Sequence, residues 1–393
     1  IMANLKVDTI SGIGTEGPVL NGGLHFRSKN YLTLPKGNTT QRIATSSGIS
    51  TEIGSIRYNT DSNKMECYVN NKWMIVSTSS PNLDGSAGRG LIAGGNTPSE
   101  SSQGQDAIEF MTLSTQGNAI SFGNLVRNHY SFLGGMSSKV RGIFAGGVFY
   151  TMPGGPGTYI DDMDFVTIAT TGDATDFGNL VQGNRADVRA ASNETRGLVY
   201  GGASGPSPVV KSNTISFTTI ASTGNSIDFG DMTVPRQNPT GSTSPTRFVY
   251  GSGEGNSPTD SFKSLEFVTI ATTGNGQDFG DCQFAKSYRS ACGNSTRGLI
   301  AGGYGFTNQI ESYELATLGN AVNFGDLLNS QNNMPAMSTP TRAVWAGGNV
   351  PGNNLINTIQ YVTIQTAGDA VDFGDLANPM RSGGGLSNSH GGL

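Results

Sequence analysis

Histidine, cysteine, clustered aspartate and a repeated arginine are the residues of this chain whose types and spacing could do chemistry. The histidines are His25, His129 and His390, and the cysteines are Cys67, Cys282 and Cys292. A copper-radical site would need two histidines, tyrosines and a cysteine gathered at one point, and this scatter does not offer it. The cysteines are odd in number and lack metal-ligand spacing, so they read as small buried apolar side chains, not as a zinc site or a disulfide framework. Asp161, Asp162 and Asp164 cluster without the spacing of a calcium loop and read as solvated carboxylates. The recurring Asp-Phe-Gly has neither a phosphate-binding glycine loop nor a catalytic Asp–Asn pair beside it, which excludes a phosphotransfer reading. Its Gly-Gly pairs precede no helix that could turn an N-terminus toward a phosphate. The expectation is a non-enzyme, with no catalytic residue, no metal and no cofactor.

The arginines lead to the elements that carry them. Each opens one phrase, found at residues 89–95 (RGLIAGG), 141–147 (RGIFAGG), 196–202 (RGLVYGG), 247–253 (RFVYGSG), 297–303 (RGLIAGG) and 342–348 (RAVWAGG). Successive arginines lie 52, 55, 51, 50 and 45 residues apart, a period near that of kelch-type propellers and longer than that of helical solenoids. A second phrase follows each first one, as in residues 165–180 (FVTIATTGDATDFGNL) and 267–282 (FVTIATTGNGQDFGDC). Its Thr/Val/Ile alternation predicts a strand, its Thr-Gly-Asn or Thr-Gly-Asp a hairpin turn, and its Asp-Phe-Gly the next strand. A polar segment such as residues 185–193 then leads to the next arginine, so each unit holds four strands: inner, Gly-Gly, Thr-rich and outer.

The double glycine and the downstream aromatic resemble the kelch motif over residues 81–393, with Phe122, Phe177, Phe229, Phe279, Phe324 and Phe373 in place of its usual tryptophan. The predicted fold is therefore all-β, a six-bladed kelch-like propeller. The six phenylalanines are expected to pack between blades, and residues 381–393 to supply the inner strand missing from blade one and so close the ring. Six arginines at one strand-start position are a structural hydrogen-bonding device, not the convergent triad of a sialidase, whose Ser-x-Asp-x-Gly-x-Thr-Trp boxes are missing.

Composition agrees with this reading. Only 13% of residues are charged and 57 are glycine, which favours strands and tight turns. A net charge of −5 supplies no field for a nucleic-acid backbone, so no nucleic-acid partner is expected. No run of 18 apolar residues and no basic-then-apolar leader occurs, so neither membrane insertion nor secretory export is expected.

Residues 1–80 do not share the repeat. Residues 5–10 (LKVDTI) and a meander over residues 53–76 read as strands, and so small a segment is expected to need self-association or a partner. Residues 2–37 (MANLKVDTISGIGTEGPVLNGGLHFRSKNYLTLPKG) and 54–76 (GSIRYNTDSNKMECYVNNKWMIV) resemble the N-terminal regions of fibre and appendage proteins of tailed bacteriophages, particularly those of marine cyanobacteria. The propeller phrases resemble repeats in virion structural proteins of the same phages. The resemblance implies a virion location after assembly in the host cytoplasm, an N-terminal segment that docks on other virion proteins, and a homo-oligomer, with a trimer favoured.

Between the Gly-Gly strand and the Thr-rich strand the connections vary in length. That of the second repeat, residues 148–160, carries Phe149, Tyr150, Met152 and Tyr159, aromatics suited to stacking on a sugar or anchoring in a protein pocket. These four are the candidate recognition residues, for a host-surface glycan or protein. Two other readings are a connector or decoration protein without host ligand and a secreted carbohydrate-active enzyme.

Overall fold

Each Arg-Gly phrase forms a strand whose arginine is half-buried and whose remaining residues are buried, because small and β-branched side chains fit a sheet covered on both faces. A computed structural model describes residues 34–42, 53–62, 64–76, 88–98, 104–130, 133–150, 157–181, 183–205, 209–255 and 261–393. The chain divides into two units, Ile1–Ser79 and Ser80–Leu393. The described residues are all-β, with a single 3-10 turn at Thr39–Gln41 and no α-helix.

The second unit holds six four-stranded antiparallel sheets. Sheet two shows the plan: Gly134–Ser137, Arg141–Ala145, Asp162–Thr167 and Thr175–Asn179, each strand pairing with the one before it. Sheets three to six begin at Arg189–Ser192, Thr240–Thr243, Ser290–Gly293 and Ala336–Ser338 and repeat the plan. Sheet one takes its first strand from the far end of the chain: Gly384–Ser387 pairs with Arg89–Ala93, which is followed by Gln105–Thr112 and Ile120–His129.

Every sheet has a bulge at one place. In sheet two the register shifts between Met163 and Asp164, so Met163 faces Gly178 and Asp164 faces Asp176, which leaves Phe177 as the extra residue. The same shift recurs in the other five sheets. A bulge sharpens local twist and re-aims a side chain. All six phenylalanines of the Asp-Phe-Gly phrases are buried. Each sits in an apolar cluster that draws on two successive sheets, and one of these clusters unites sheet six with sheet one through Phe373, Met337, Leu113 and Met111.

Polar contacts between sheets follow the same cycle. The arginine that opens each second strand donates to carbonyls at the end of the third strand of the next sheet, at 2.8–3.3 Å: Arg89 to Ile168 and Ala169, Arg141 to Ile220, Arg196 to Ile270 and Ala271, Arg247 to Leu315 and Ala316, Arg297 to Ile364 and Gln365. Arg342 of sheet six reaches back to Leu113 of sheet one at 2.9 Å. In five sheets the guanidinium also lies 4.4–4.7 Å from the centre of an aromatic ring on the neighbouring third strand of its own sheet. Sheet five has Ser312 there, and Arg297 pairs with Glu314 instead.

The Thr-Gly-Asn/Asp turn does more than reverse the chain. Its glycine N–H donates to the Asp-Phe-Gly phenylalanine carbonyl of the preceding sheet, as Gly172 does to Phe122 at 2.9 Å and Gly117 to Phe373 at 2.9 Å. The following Asn or Asp accepts from the same neighbour, for instance Asp173 Oδ1 from the Asn124 amide and Asn118 Oδ1 from the Asp375 amide. The glycine of Asp-Phe-Gly fits beneath that turn: a Cβ on Gly325 would lie 2.1 Å from the Gly368 carbonyl oxygen, and one on Gly374 would lie 2.5 Å from that of Gly117.

The first unit is described at one four-stranded sheet, Lys36–Gly37, Ile56–Asn59, Lys64–Val69 and Lys72–Ile75, its first pair parallel. Its buried centre is polar. Glu66 is fully buried and accepts from Arg42 and from Asn59 Nδ2 at 2.8 Å, while Arg57 stacks on Trp73. Ile53, Ile56, Met74 and Ile75 face outward, exposed by 46–73%. The strand expected at residues 5–10 lies outside the described residues.

Candidate functional site

The antiparallel plan sends the strand starts of the first strands and the Gly-Gly exits of the second strands to one end of the six sheets, and the arginine contacts to the other. At the arginine end the tail after Ser387 closes the space between first strands. His390 lies within hydrogen-bond distance of Ser192 Oγ and the Ser137 carbonyl, both at 3.1 Å, and the Gly391 amide donates to the Gly293 carbonyl. The space left there is about 70 Å³, lined by serine, glycine and other small residues. Burial pushes His390 down to about 4.

The Gly-Gly end is open and built differently. Two residues before each described first strand of sheets three, four, five and one stand Asp187, Asn238, Tyr288 and Ser382, and at the matching place in sheet six stands Asn333. All five adopt left-handed backbone, with φ between 50° and 63°, which costs a non-glycine residue about 1 kcal/mol or more. Backbone bonds link them from sheet to sheet: the Asn238 amide to the Asp187 carbonyl, Asn333 to Tyr288, and Ser382 to Asn333. A shared backbone thus presents five positions with different side chains.

A cavity of about 540 Å³ opens at this end. Its walls are aromatic and amide: Tyr288, Tyr304 and Phe306 come from sheet five, Asn332, Asn333, Asn349 and Asn353 from sheet six, and Arg381 and Tyr130 also line it. Sheet five makes room for it. There a short turn, residues 302–306, replaces the extra hairpins that sheets two, three and six carry at Val148–Tyr150/Gly157–Tyr159, Ala203–Ser204/Val210–Lys211 and Asn349–Val350/Asn354–Leu355. Asn332 and Asn349 are buried, and the Oδ1 atoms of Asn332, Asn333 and Asn349 accept no hydrogen bond from the protein. Tyr288 is held by Glu254, which with burial pushes its phenol up. Glu254 in turn accepts from Lys211 Nζ at 3.1 Å and Gln237 Nε2 at 2.9 Å. Burial raises the nearby Asp187 carboxyl to about 6.

Of the four residues singled out from sequence, the three that are described do not line this cavity. Phe149, Tyr150 and Tyr159 belong to the sheet-two hairpin, where Val148 faces Tyr159 and Phe149 faces Thr158. They are half-buried, not splayed into solvent: Arg127 covers Phe149 at 5.7 Å, and Tyr150 meets Tyr130 edge-on at 5.0 Å. Met152 lies outside the described residues. Tyr130 is therefore the link between the expected aromatics and the cavity wall. The residues that line the cavity carry no sequence motif. They come from four repeats, and only Tyr288, Asn333 and Ser382 share a repeated left-handed position ahead of a first strand that could have signalled them.

Two other expectations are corrected. Asp164 is not solvated: it is buried, accepts from the Val126 amide at 3.1 Å, and is pushed up to about 6 by that burial. Its Oδ2 lies 3.9 Å from Nε2 of His129, which burial pushes down to about 4, so between about pH 4 and 6 the two face each other as neutral groups. Of the cysteines, Cys282 and Cys292 are buried, their thiols pushed up to about 12, whereas Cys67 is half-buried. Among the described residues no three metal-ligating side chains come together, and no helix is long and apolar enough to cross a membrane. No protein-family model and no curated protein sequence matches this chain.

Proposed function

We propose that the six sheets are the blades of a six-bladed kelch-like β-propeller, and that the chain is a non-enzymatic virion protein of a tailed bacteriophage, a fibre or appendage displaying that propeller to bind a host-surface molecule. The cycle of arginine, turn and cluster contacts from sheet one through sheet six and back supports the blade reading. The N-terminal unit is the attachment segment, docking on other virion proteins and on its own copies, with a trimer as the favoured assembly. Its outward Ile53, Ile56, Met74 and Ile75 and its polar centre support that role, since such a sheet gains from apolar cover.

One observation carries the binding reading: at the open end a repeated left-handed position holds side chains that vary between blades, three of which, Tyr288, Asn333 and Ser382, line a cavity, while the opposite end is uniform and plugged. Recognition resides on variable surfaces held by a rigid scaffold. The test has two parts. Mass spectrometry of purified particles should find the chain as a stoichiometric component, and the soluble chain should compete with particle adsorption to host cells. Its presence in particles without competition would replace the receptor-binding role by that of a connector, and its absence from particles would end the virion reading.

A further inference from the structure

The walls of the 540 Å³ cavity specify a ligand class. Three amide oxygens of its lining residues, Oδ1 of Asn332, Asn333 and Asn349, are buried and accept no hydrogen bond from the protein, and a buried acceptor without a donor is costly. A sulfate or a phosphodiester brings only acceptors and cannot meet that demand. Hydroxyl groups can, and they can replace water at such acceptors. Rings line the same cavity: Tyr288 and Tyr304 lie 6.1 Å apart at a 43° tilt, and Phe306 is a further lining residue. Their faces suit the C–H surface of a flat, hydroxylated ring.

The backbone points to the same place. Of the ten non-glycine residues with left-handed φ among the described residues, five line this one cavity: Tyr288, Phe306, Asn333, Asn353 and Ser382. For Tyr288 and Phe306 that conformation is unfavourable in its own right, and such strain collects at ligand clamps. Tyr288 is additionally pinned by Glu254, itself tied to Lys211 and Gln237, so the ring is set before any ligand arrives. Among the described residues Arg381 is the one charged side chain that lines the cavity.

We propose that this cavity is a binding site for one uncharged pyranose residue of a glycan, its hydroxyls donating to Asn332, Asn333 and Asn349 and its C–H face lying on Tyr288 and Tyr304. The proposal rests on the binding-module reading above and supplies its ligand class. The sheet-two aromatics Phe149 and Tyr159 stand outside the pyranose site.

Saturation-transfer NMR and calorimetry on the full chain test it, with methyl glycosides of glucose, galactose and mannose, N-acetylglucosamine, and glucuronic acid as probes. At least one neutral sugar is expected to receive saturation on its ring protons. Tyr304→Ala and Asn349→Leu should each weaken it at least tenfold, while Phe149→Ala changes it less than twofold. Thermal melting of each variant separates lost binding from lost fold, and Tyr304→Phe, which keeps the ring, should bind within threefold of the parent chain. Failure of every neutral sugar at 10 mM, binding that survives both cavity variants, or binding confined to glucuronic acid would overturn the proposal. Sugar binding in a chain that does not compete with adsorption would leave the pyranose site standing and overturn the host-surface reading instead.

Discussion

The two ends of the six sheets are built from the same repeat and have opposite characters. At the arginine end nearly every repeat makes the same bonds: guanidinium to neighbouring carbonyls, turn glycine to neighbouring phenylalanine carbonyl, and Asn or Asp side chain to neighbouring amide. At the Gly-Gly end the backbone repeats while the side chains at one position run Asp187, Asn238, Tyr288, Asn333 and Ser382. The difference teaches where such a molecule places its stability and where it leaves freedom. Bonds that every sheet makes to the next hold the sheets together and tolerate no variation, since each partner is a backbone group at fixed distance. Side chains that bond little across sheets are available for recognition.

Breaking the uniform end should therefore cost most. Gly325→Ala places a Cβ 2.1 Å from the Gly368 carbonyl oxygen, a backbone atom that cannot step aside without parting sheets five and six. Destabilisation of about 3 kcal/mol or more is expected, read by chemical denaturation. Gly274→Ala, whose added Cβ meets nothing within 4 Å and whose backbone is not left-handed, is the control and should cost far less. A comparable loss in both would mean that backbone freedom, and not the close approach, explains the glycines.

Next in size are the arginines. Arg342→Ala removes a charge-assisted bond to Leu113 and a stack on Tyr361, together worth about 2 kcal/mol. Because the sixth-to-first seam is made like any internal seam, Arg196→Ala, at the junction of sheets three and four, should cost the same within about 1 kcal/mol. A markedly smaller effect at Arg342 would break the proposed closed ring while sparing the individual sheets.

A buried pair between these ends answers to pH. His129 is held near 4 in the folded chain against 6.5 ordinarily, so the unfolded chain binds the extra proton, and this group's contribution is lost as pH falls from 6.5 to 4. Asp164 is held near 6 against 3.8, so here the folded chain binds the extra proton, and its contribution is lost as pH rises from about 4 to 6. The two slopes oppose, and the parent chain should show little net dependence from this pair. Asp164→Asn should expose stability that rises with pH across the window, and His129→Gln stability that falls, each by on the order of 2 kcal/mol. Parallel slopes in the two variants would contradict the neutral pair.

The smallest effect is expected at the variable end. Asn333→Gly keeps the left-handed backbone at φ 61° and relieves its strain, so stability should stay within about 1 kcal/mol of the parent or rise, even as an acceptor of the cavity is lost. A loss as large as that of Gly325→Ala would erase the contrast between the ends.

Much of the architecture was legible without coordinates. The period of the Arg-Gly phrase announced six units, its apolar runs and the Thr-rich alternation marked strands, and the final segment's likeness to a first strand pointed to its pairing with Arg89–Ala93, seen as Gly384–Ser387. The Asp-Phe-Gly and Thr-Gly-Asn phrases were legible as repeats, but not as bulge and inter-sheet clamp, because the clamp acts on residues 44–49 positions away. Phe149, Tyr150 and Tyr159 stood out by composition, yet exposure is a property of what packs on them, and Arg127 and Tyr130 do. The burial of Asp164 was illegible for the same reason: its neighbours Val126 and His129 belong to the preceding sheet.

What this sequence determined by itself is therefore local and periodic: the strands, their turns, their number, and the residue types that every repeat must keep, since those follow from nearest-neighbour sterics and alternation along the chain. What only the tertiary structure decided is convergence. Tyr130, Tyr288, Asn349 and Arg381 share one cavity because successive sheets bring their like ends together, and no spacing along a chain records which side chains meet across that distance.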